Sequence, residues 1–374
     1  MCARYRGERW AITYGMESVW GEAPTALLDA TQLFGVFDDC SLPDPTFEMQ
    51  PWWIMNPAAR NYYVAYKGRA RSEGAIPNII LLDGRPIFLP LADAIEHSAG
   101  PAPYTHTING TIKLPSFRVV ATNYSDDDTA ATELVRWFVG GKVNRATYQC
   151  DEGGLLTMSL DDISFKMPHF KDENDTNIQG WYNEHAVSQT FDYTCTEPYY
   201  FSEGCIKMKL PLLGMDEIII PSVRSFRLDV NNNLDPKYYI ATNAEKVPYE
   251  IIEGRREFRL ALQVDLVDQT SVYGESVFTK DTPFLELLNQ GMDGTVFKGA
   301  AVEITFTKST NDYIKFTTPA SYDPDCGPEN QGALLVRGPT NIVTESVISV
   351  PMEMICRDLK VEIGDSLAGA VYPV

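Results

Sequence analysis

The chain has no apolar run of eighteen residues, which leaves no candidate for a membrane-spanning helix. Its opening, MCARYRGERWAITYG, carries Arg4, Arg6, Glu8 and Arg9 and no apolar stretch of 7–15 residues, so no secretory leader is expected and synthesis in a cytosol is. Cysteine is sparse: seven residues, at 2, 40, 150, 195, 205, 326 and 356, an odd and scattered set without C-x-x-C. That spacing fits neither a disulfide framework nor a zinc ribbon, and reduced thiols are expected. The four histidines, His97, His106, His169 and His185, include no pair at the spacing of H-E-x-x-H. Also missing are G-x-S-x-G, G-x-x-x-x-G-K-[ST] and a strand-linked G-x-G-x-x-G, the marks of a nucleophile elbow, a P-loop and a dinucleotide site. The expectation is a non-enzyme with no catalytic residues, no metal ligands and no cofactor.

Basic residues are in short supply as well. Lys and Arg number 31 against 51 Asp and Glu, a formal charge of −20 that opposes tight binding to a polyphosphate. Hydrophobic residues still make up 44% and charged ones 22%, so the acidity belongs to a folded chain. At 374 residues the length suggests two to three domains.

What is present in quantity is period-2 alternation. Phe226, Leu228 and Val230 alternate with Arg227 and Asp229. Phe258, Leu260, Leu262, Val264 and Leu266 alternate with Glu257, Arg259, Gln263 and Asp265. Leu156-Met158-Leu160 and Val302-Ile304-Phe306 follow the same rule, so these read as half-exposed strands of antiparallel sheets. Turns are expected at 151–154, 231–236 and 323–328, with Gly140-Gly141 and Gly153-Gly154 supplying positive φ. Short helices are expected at Thr282 to Gly291, Leu89 to His97 and Thr129 to Phe138, the last charged at its start by Asp126, Asp127 and Asp128. The class is mainly β.

Two segments resemble each other at a separation of 186 to 195 residues. Lys67-Gly-Arg-Ala-Arg71 and Glu253-Gly-Arg-Arg-Glu257 are each read as a Gly-Arg hairpin followed by a strand and a short helix. The expected organisation is an N-terminal arm at 1–29, a first β module at 30–165, a connector at 166–204, a second module at 205–365 and a tail at 366–374. Trp20 to Trp53, rich in Pro and apolar residues but short of long strands, is read as an arm that orders on assembly. Asp126–Asp128 and Asp161-Asp162 lack the ligand pattern of a calcium loop and are read as solvated loop or cap. The pairs Trp52-Trp53, Tyr62-Tyr63, Tyr199-Tyr200 and Tyr238-Tyr239 are read as one core and one surface aromatic each. Arg255, Arg256 and Arg259, with Arg224 and Arg227, are read as salt-bridging within or between subunits.

Four stretches in order resemble one family. They are ITYGMESVWGEAPT (Ile12 to Thr25), Tyr104-Thr-His-Thr107 with Leu114-Pro-Ser-Phe117, FVGGKVNRATYQCDEGGLLTMSLDDISF (Phe138 to Phe165), and Ile220 to Leu234 with Pro248 to Arg255. The chain is similar there to tail tube proteins of long-tailed, non-contractile (siphovirus-type) tailed viruses, over roughly residues 7–165 and 218–310. The resemblance implies a β-sandwich or barrel module whose inner sheet joins its neighbours, here two modules in tandem. It implies a virion structural protein of the tail, assembled in the host cytoplasm into stacked rings that conduct double-stranded DNA. The implied partners are further copies, a homotrimer imitating a hexamer, together with the tape measure protein, the tail terminator and distal tail proteins. DNA would pass without tight binding, held off by an acidic lumen, and no membrane is involved. Two alternatives stand beside it: a β-rich carbohydrate- or receptor-binding tail protein, and another component on the same tube fold, a terminator or baseplate hub part.

Overall fold

In a sheet wetted on one face only, alternate residues must be apolar, and the segments that obey this rule are the ones that pair. The computed structural model describes residues 5–21, 32–52, 64–92, 95–99, 101–109, 113–125, 134–169, 197–209, 218–219, 222–240, 246–265, 299–319, 332–338, 349–367 and 372. Its strands in chain order begin with β1 (Tyr5–Met16), β2 (Gln32–Leu33), β3 (Pro45–Trp52), β4 (Val64–Ile80), β5 (Glu96–His97), β6 (Tyr104–Asn109) and β7 (Phe117–Ser125). There follow β8 (Leu134–Asp151), β9 (Thr157–Phe165), β10 (Met167–His169), β11 (Gly204–Lys209), β12 (Ile218–Ile219), β13 (Val223–Asn231) and β14 (Asp235–Lys237). The last seven are β15 (Glu250–Ile252), β16 (Glu257–Asp265), β17 (Ala301–Ser309), β18 (Asp312–Thr318), β19 (Leu334–Arg337), β20 (Ser349–Cys356) and β21 (Lys360–Asp365). The fold is mainly β, and every strand pair is antiparallel.

The main sheet runs β3-β4-β9-β8-β13-β16-β20-β19. A seven-stranded sheet, β12-β11-β17-β18-β21-β6-β5, packs on its apolar face. Tyr148 meets Phe316 at 5.2 Å between ring centroids, and Phe226 meets Phe306 at 5.6 Å, so the centre of the sandwich is aromatic. The eighteen residues of β8 belong to two ladders in succession. Residues up to Gly141 pair with β7 and β10, and those from Lys142 onward with β9 and β13. The change of partner falls between Gly141 and Lys142, next to Gly140, whose φ of +71° glycine adopts without strain.

Both sheets run across the expected boundary between modules: β8 pairs with β13, and β6 with β21, so each half covers a strand edge of the other. The 1–29 arm contains β1, paired with β7, while the Trp20 to Trp53 arm contains β3 and a core residue, Phe34, in contact with Tyr14. The connector begins with β10 in the sheet and ends near Tyr199, which is 1% exposed, and the 366–374 tail contributes the buried Tyr372.

The two Gly-Arg segments also differ. Gly68 lies inside the continuous strand β4, at a bulge where Gly68 and Arg69 together oppose Glu48 and a Cβ would come within 3.2 Å of the Glu48 carbonyl; Gly254 lies in the link between β15 and β16. Leu89 to His97, expected as a helix, hold a turn at 89–91 and the strand β5, and a four-residue 3-10 helix, Arg85–Phe88, precedes them, held by Asp83 accepting from the Arg85 backbone and guanidinium at 2.8–3.1 Å. Leu134 to Phe138, expected as helix, are the start of β8. Residues 282–291, 323–328 and 126–128 lie outside the described residues.

Candidate assembly surface

Three of the resembling stretches meet at one carboxylate. Glu17 accepts from the Gly21 N–H at 2.9 Å, the Gly140 N–H at 2.9 Å and the Ser116 hydroxyl at 2.5 Å. Its own N–H donates to the Ser116 carbonyl, and Trp20 Nε1 donates to the Gly140 carbonyl at 3.0 Å. The ESVWG turn after β1, the Pro-Ser-Phe lead into β7 and the Gly-Gly bend of β8 are thereby clamped together. Charge-assisted bonds of this kind are about twice as strong as neutral ones.

The fourth stretch joins through Glu253, which accepts from Lys142 Nζ at 2.7 Å and from the Leu114 N–H at 3.1 Å. Asn232, 2% exposed, donates from its amide to the carbonyls of Pro90 and Val143 at 3.0 and 2.9 Å, and its Oδ1 accepts from Arg256 Nε at 2.7 Å. Asn144 Oδ1 accepts from the Leu234 N–H at 2.8 Å. These polar groups sit where β1, β7, β8 and β13 come together, and they fix the path of β8 between its two ladders.

That path presents one polar face. On the outer side of β8, β9, β13, β16 and β20 the carboxylates Asp151, Asp161, Asp229, Glu257 and Glu353 outnumber Arg145, Arg227 and Arg259. The charges are interlaced: Thr147 Oγ1 lies 2.7 Å from Asp161 and 2.8 Å from Asp229, and Arg227 pairs with Asp229 at 2.9 Å. Arg224 pairs with Glu152 and Asp265, each at 3.2 Å. The expected salt-bridging of Arg224 and Arg227 is thus within the chain. Asp161 and Asp162, expected in a loop, stand on β9, where Asp162 accepts from Asn144 at 2.6 Å. Among the described residues the outermost strands of this sheet, β3 and β19, each pair with one neighbour in it, while Ala333, just before β19, exchanges two backbone hydrogen bonds with Ala300 ahead of β17.

The aromatic pairs divide as expected where they are described: Tyr199 is buried and Tyr200 exposed, Tyr238 half-buried under Arg69 and Tyr239 exposed. The side chains of Trp52, Trp53, Tyr62 and Tyr63 lie outside the described set. Gly140 and Gly153 have positive φ; Gly141 and Gly154 do not. Cys150 and Cys356 are free thiols whose pKa burial pushes up to about 11, which keeps them protonated and unreactive at neutral pH.

A buried histidine pair was missed, because its members belong to different strands and no spacing rule links them. His106, fully buried, has Nε2 at 3.0 Å from Asp365 Oδ1 and 3.1 Å from the Leu367 carbonyl, so that nitrogen carries a proton. His97 Nδ1 lies 2.7 Å from His106 Nδ1, and Tyr372 stacks on His106 while donating to Asp365 at 2.5 Å. His97 Nε2 is buried without a hydrogen-bond partner among the described residues. Burial first, and then His106, lowers the His97 pKa, with Asp365 opposing. The described residues hold no group of three His, Cys, Asp or Glu arranged for a metal ion.

No protein-family model matches the sequence, and no curated protein matches it significantly. Among solved structures the chain is similar to a component of the anti-feeding prophage (AFP) baseplate, determined by cryo-electron microscopy with 6-fold symmetrisation. The identity is 12%, the match covers 44% of this chain and 95% of that one, and the TM-score is 0.31.

Proposed function

We propose that this chain is a virion structural protein that builds a stacked-ring tail tube, a conduit for double-stranded DNA. The observation that carries the reading is the main sheet itself. Its eight strands alternate in direction, so β3 and β19 run oppositely. Rotation about an axis along the sheet preserves strand direction, so β19 of one copy meets β3 of the next as an ordinary antiparallel pair. A head-to-tail contact of that kind closes rings and removes open edges.

The outer face supports the same job. A conduit for DNA needs walls that do not trap phosphates, and a surface with more carboxylates than arginines repels the duplex while its paired charges remain soluble. The four tail-tube-like stretches support the reading from the sequence, since they build the junction that shapes this sheet. Further copies are the principal partners. The tape measure protein in the lumen, the tail terminator and the distal tail proteins complete the set that a tube in a virion tail requires.

Negative-stain microscopy of the purified protein is the test. Hollow rings or stacked tubes are expected. A monomer at high protein concentration across a range of salt would overturn the reading, and sugar affinity in that monomer would favour a receptor-binding tail protein.

A further inference from the structure

Beside β19 lies an open cleft of about 620 Å³ whose charge is opposite to that of the molecule. Among the described residues, Arg255, Arg256, Arg259 and Arg357 line it against one carboxylate, Glu257, on a chain of net charge −20. Arg255, Arg259 and Arg357 are exposed, and Arg259 reaches Glu257 only at 3.7 Å. Arg256 is the fixed member, held by Asn232 and by the Leu91 carbonyl at 2.7 Å each. Leu334 of β19 forms part of the wall, so the basic cleft adjoins an edge strand of the main sheet.

The opposite edge is acidic. Asp38 and Asp39 are exposed between the Val36–Ile80 and Ser41–Ala75 bridges to β4, while Asp44, just before β3, is paired within the chain to Arg136 at 3.1 Å. Two copies at −20 each repel one another over most of their surfaces. An arginine cluster at one edge and a carboxylate cluster at the other reverse that repulsion at one contact only, and so select head-to-tail approach over edge-like-to-edge-like approach.

We propose that the arginine cleft is the docking seat for Asp38 and Asp39 on the β3 edge of a second copy of this chain. The assignment rests on the tube reading and deepens it. The carboxylates steer the neighbour into register before the β19–β3 backbone pairs form. Guanidinium forks suit this task because they accept carboxylates in a planar, two-point geometry.

The test uses the full-length chain, with Arg256 left intact because it holds the interior. The triple variant Arg255→Glu/Arg259→Glu/Arg357→Glu is compared with the unaltered protein by sedimentation velocity and negative stain over 50 to 500 mM salt. Circular dichroism and thermal melting check the fold. The concentration at which rings form is expected to rise at least ten-fold in the variant, and the salt sensitivity of assembly to fall. Asp38→Arg/Asp39→Arg is expected to fail similarly alone, and combining it with the arginine triple in one chain to restore assembly. Unchanged assembly of a folded arginine variant overturns this inference and leaves the tube reading standing; an unaltered protein that never self-associates overturns both. Binding of a fluorescent 20-base-pair duplex that disappears in the arginine variant while assembly persists assigns the cleft to phosphate instead and overturns the proposal.

Discussion

At Glu17 one carboxylate satisfies two backbone N–H groups and a hydroxyl from three separate chain segments. Replacing it with alanine leaves the Gly21 and Gly140 donors unpaired in a half-buried position. Each such loss costs about 1–3 kcal/mol, so Glu17→Ala is expected to lower stability by roughly 2–4 kcal/mol in urea denaturation, and Glu17→Gln by less. The histidine pair gives a prediction in pH. The folded chain lowers the His97 pKa below its ordinary 6.5, so the unfolded chain binds the proton more readily. Stability is then full above about pH 7.5, falls as pH drops through the unfolded value near 6.5, and levels off below the folded value. Thermal melts from pH 8 to pH 5 are expected to show that decline, reduced in His97→Asn, which keeps a donor toward His106 but cannot titrate. An unchanged slope in the variant would remove His97 as its source.

Among the elements, β8 sets the architecture, and its bend is testable with two glycines of nearly the same φ. Gly140 at +71° is crowded, a Cβ there falling 2.7 Å from Lys166 Cβ, whereas Gly153 at +74° has no atom within 4 Å of that position. Gly153→Ala is expected to cost about 1 kcal/mol of backbone strain, and Gly140→Ala clearly more, as measured by the shift of the unfolding midpoint. Equal shifts would place the requirement at φ alone.

Strands such as β13, β16 and β17 were legible because one face is wet, so Phe226, Leu228 and Val230 are buried while Arg227 is exposed. β4 was less so: Gly68, Gly74 and Pro77 interrupt its pattern, and Gly68 is there for the approach of β3, not for a turn. The start of β8 was read as helix from the acids before it, although Val135, Trp137 and Val139 are good strand formers. The role of Glu17 is not legible, since Ser116 and Gly140 lie 99 and 123 positions from it, and of the arginine cleft only Arg255, Arg256 and Arg259 stand out in the sequence, Arg357 joining them through the pairing of β16 with β20. The β14–β15 hairpin adds a surface device, with Tyr239, Ile240 and Tyr249 at 51%, 108% and 70% exposure. An apolar tip of that size marks a contact site. Tyr239→Ser/Ile240→Ser/Tyr249→Ser is expected to leave ring closure intact and to shorten or abolish stacks in negative stain.

For the whole molecule the proposed tube predicts a number of copies per ring from the strand count of the sheet. Strands about 4.8 Å apart and tilted by about 40° close into a barrel whose diameter grows linearly with their number. Two copies joined β19 to β3 give a backbone diameter of about 32 Å, three about 48 Å and six about 96 Å, by the same geometry. Side chains remove roughly 10–13 Å from each value, so two copies leave too little room for a hydrated duplex and six far more than one duplex needs. Three copies leave a bore of roughly 35 Å, wide enough for DNA to move without touching the wall. The mainly acidic outer face then surrounds the phosphates at a distance near the screening length of about 8 Å at physiological salt, close enough to centre the duplex and too far to bind it. The ring expected is therefore a trimer of about 126 kDa, three times the 41.9 kDa chain. Mass photometry of disassembled tubes is expected to show that species, and rotational averaging of top views three-fold symmetry. Six equivalent chains per ring would show that β3 and β19 do not meet across the interface, and would require the sheet to close through a different pair of edges.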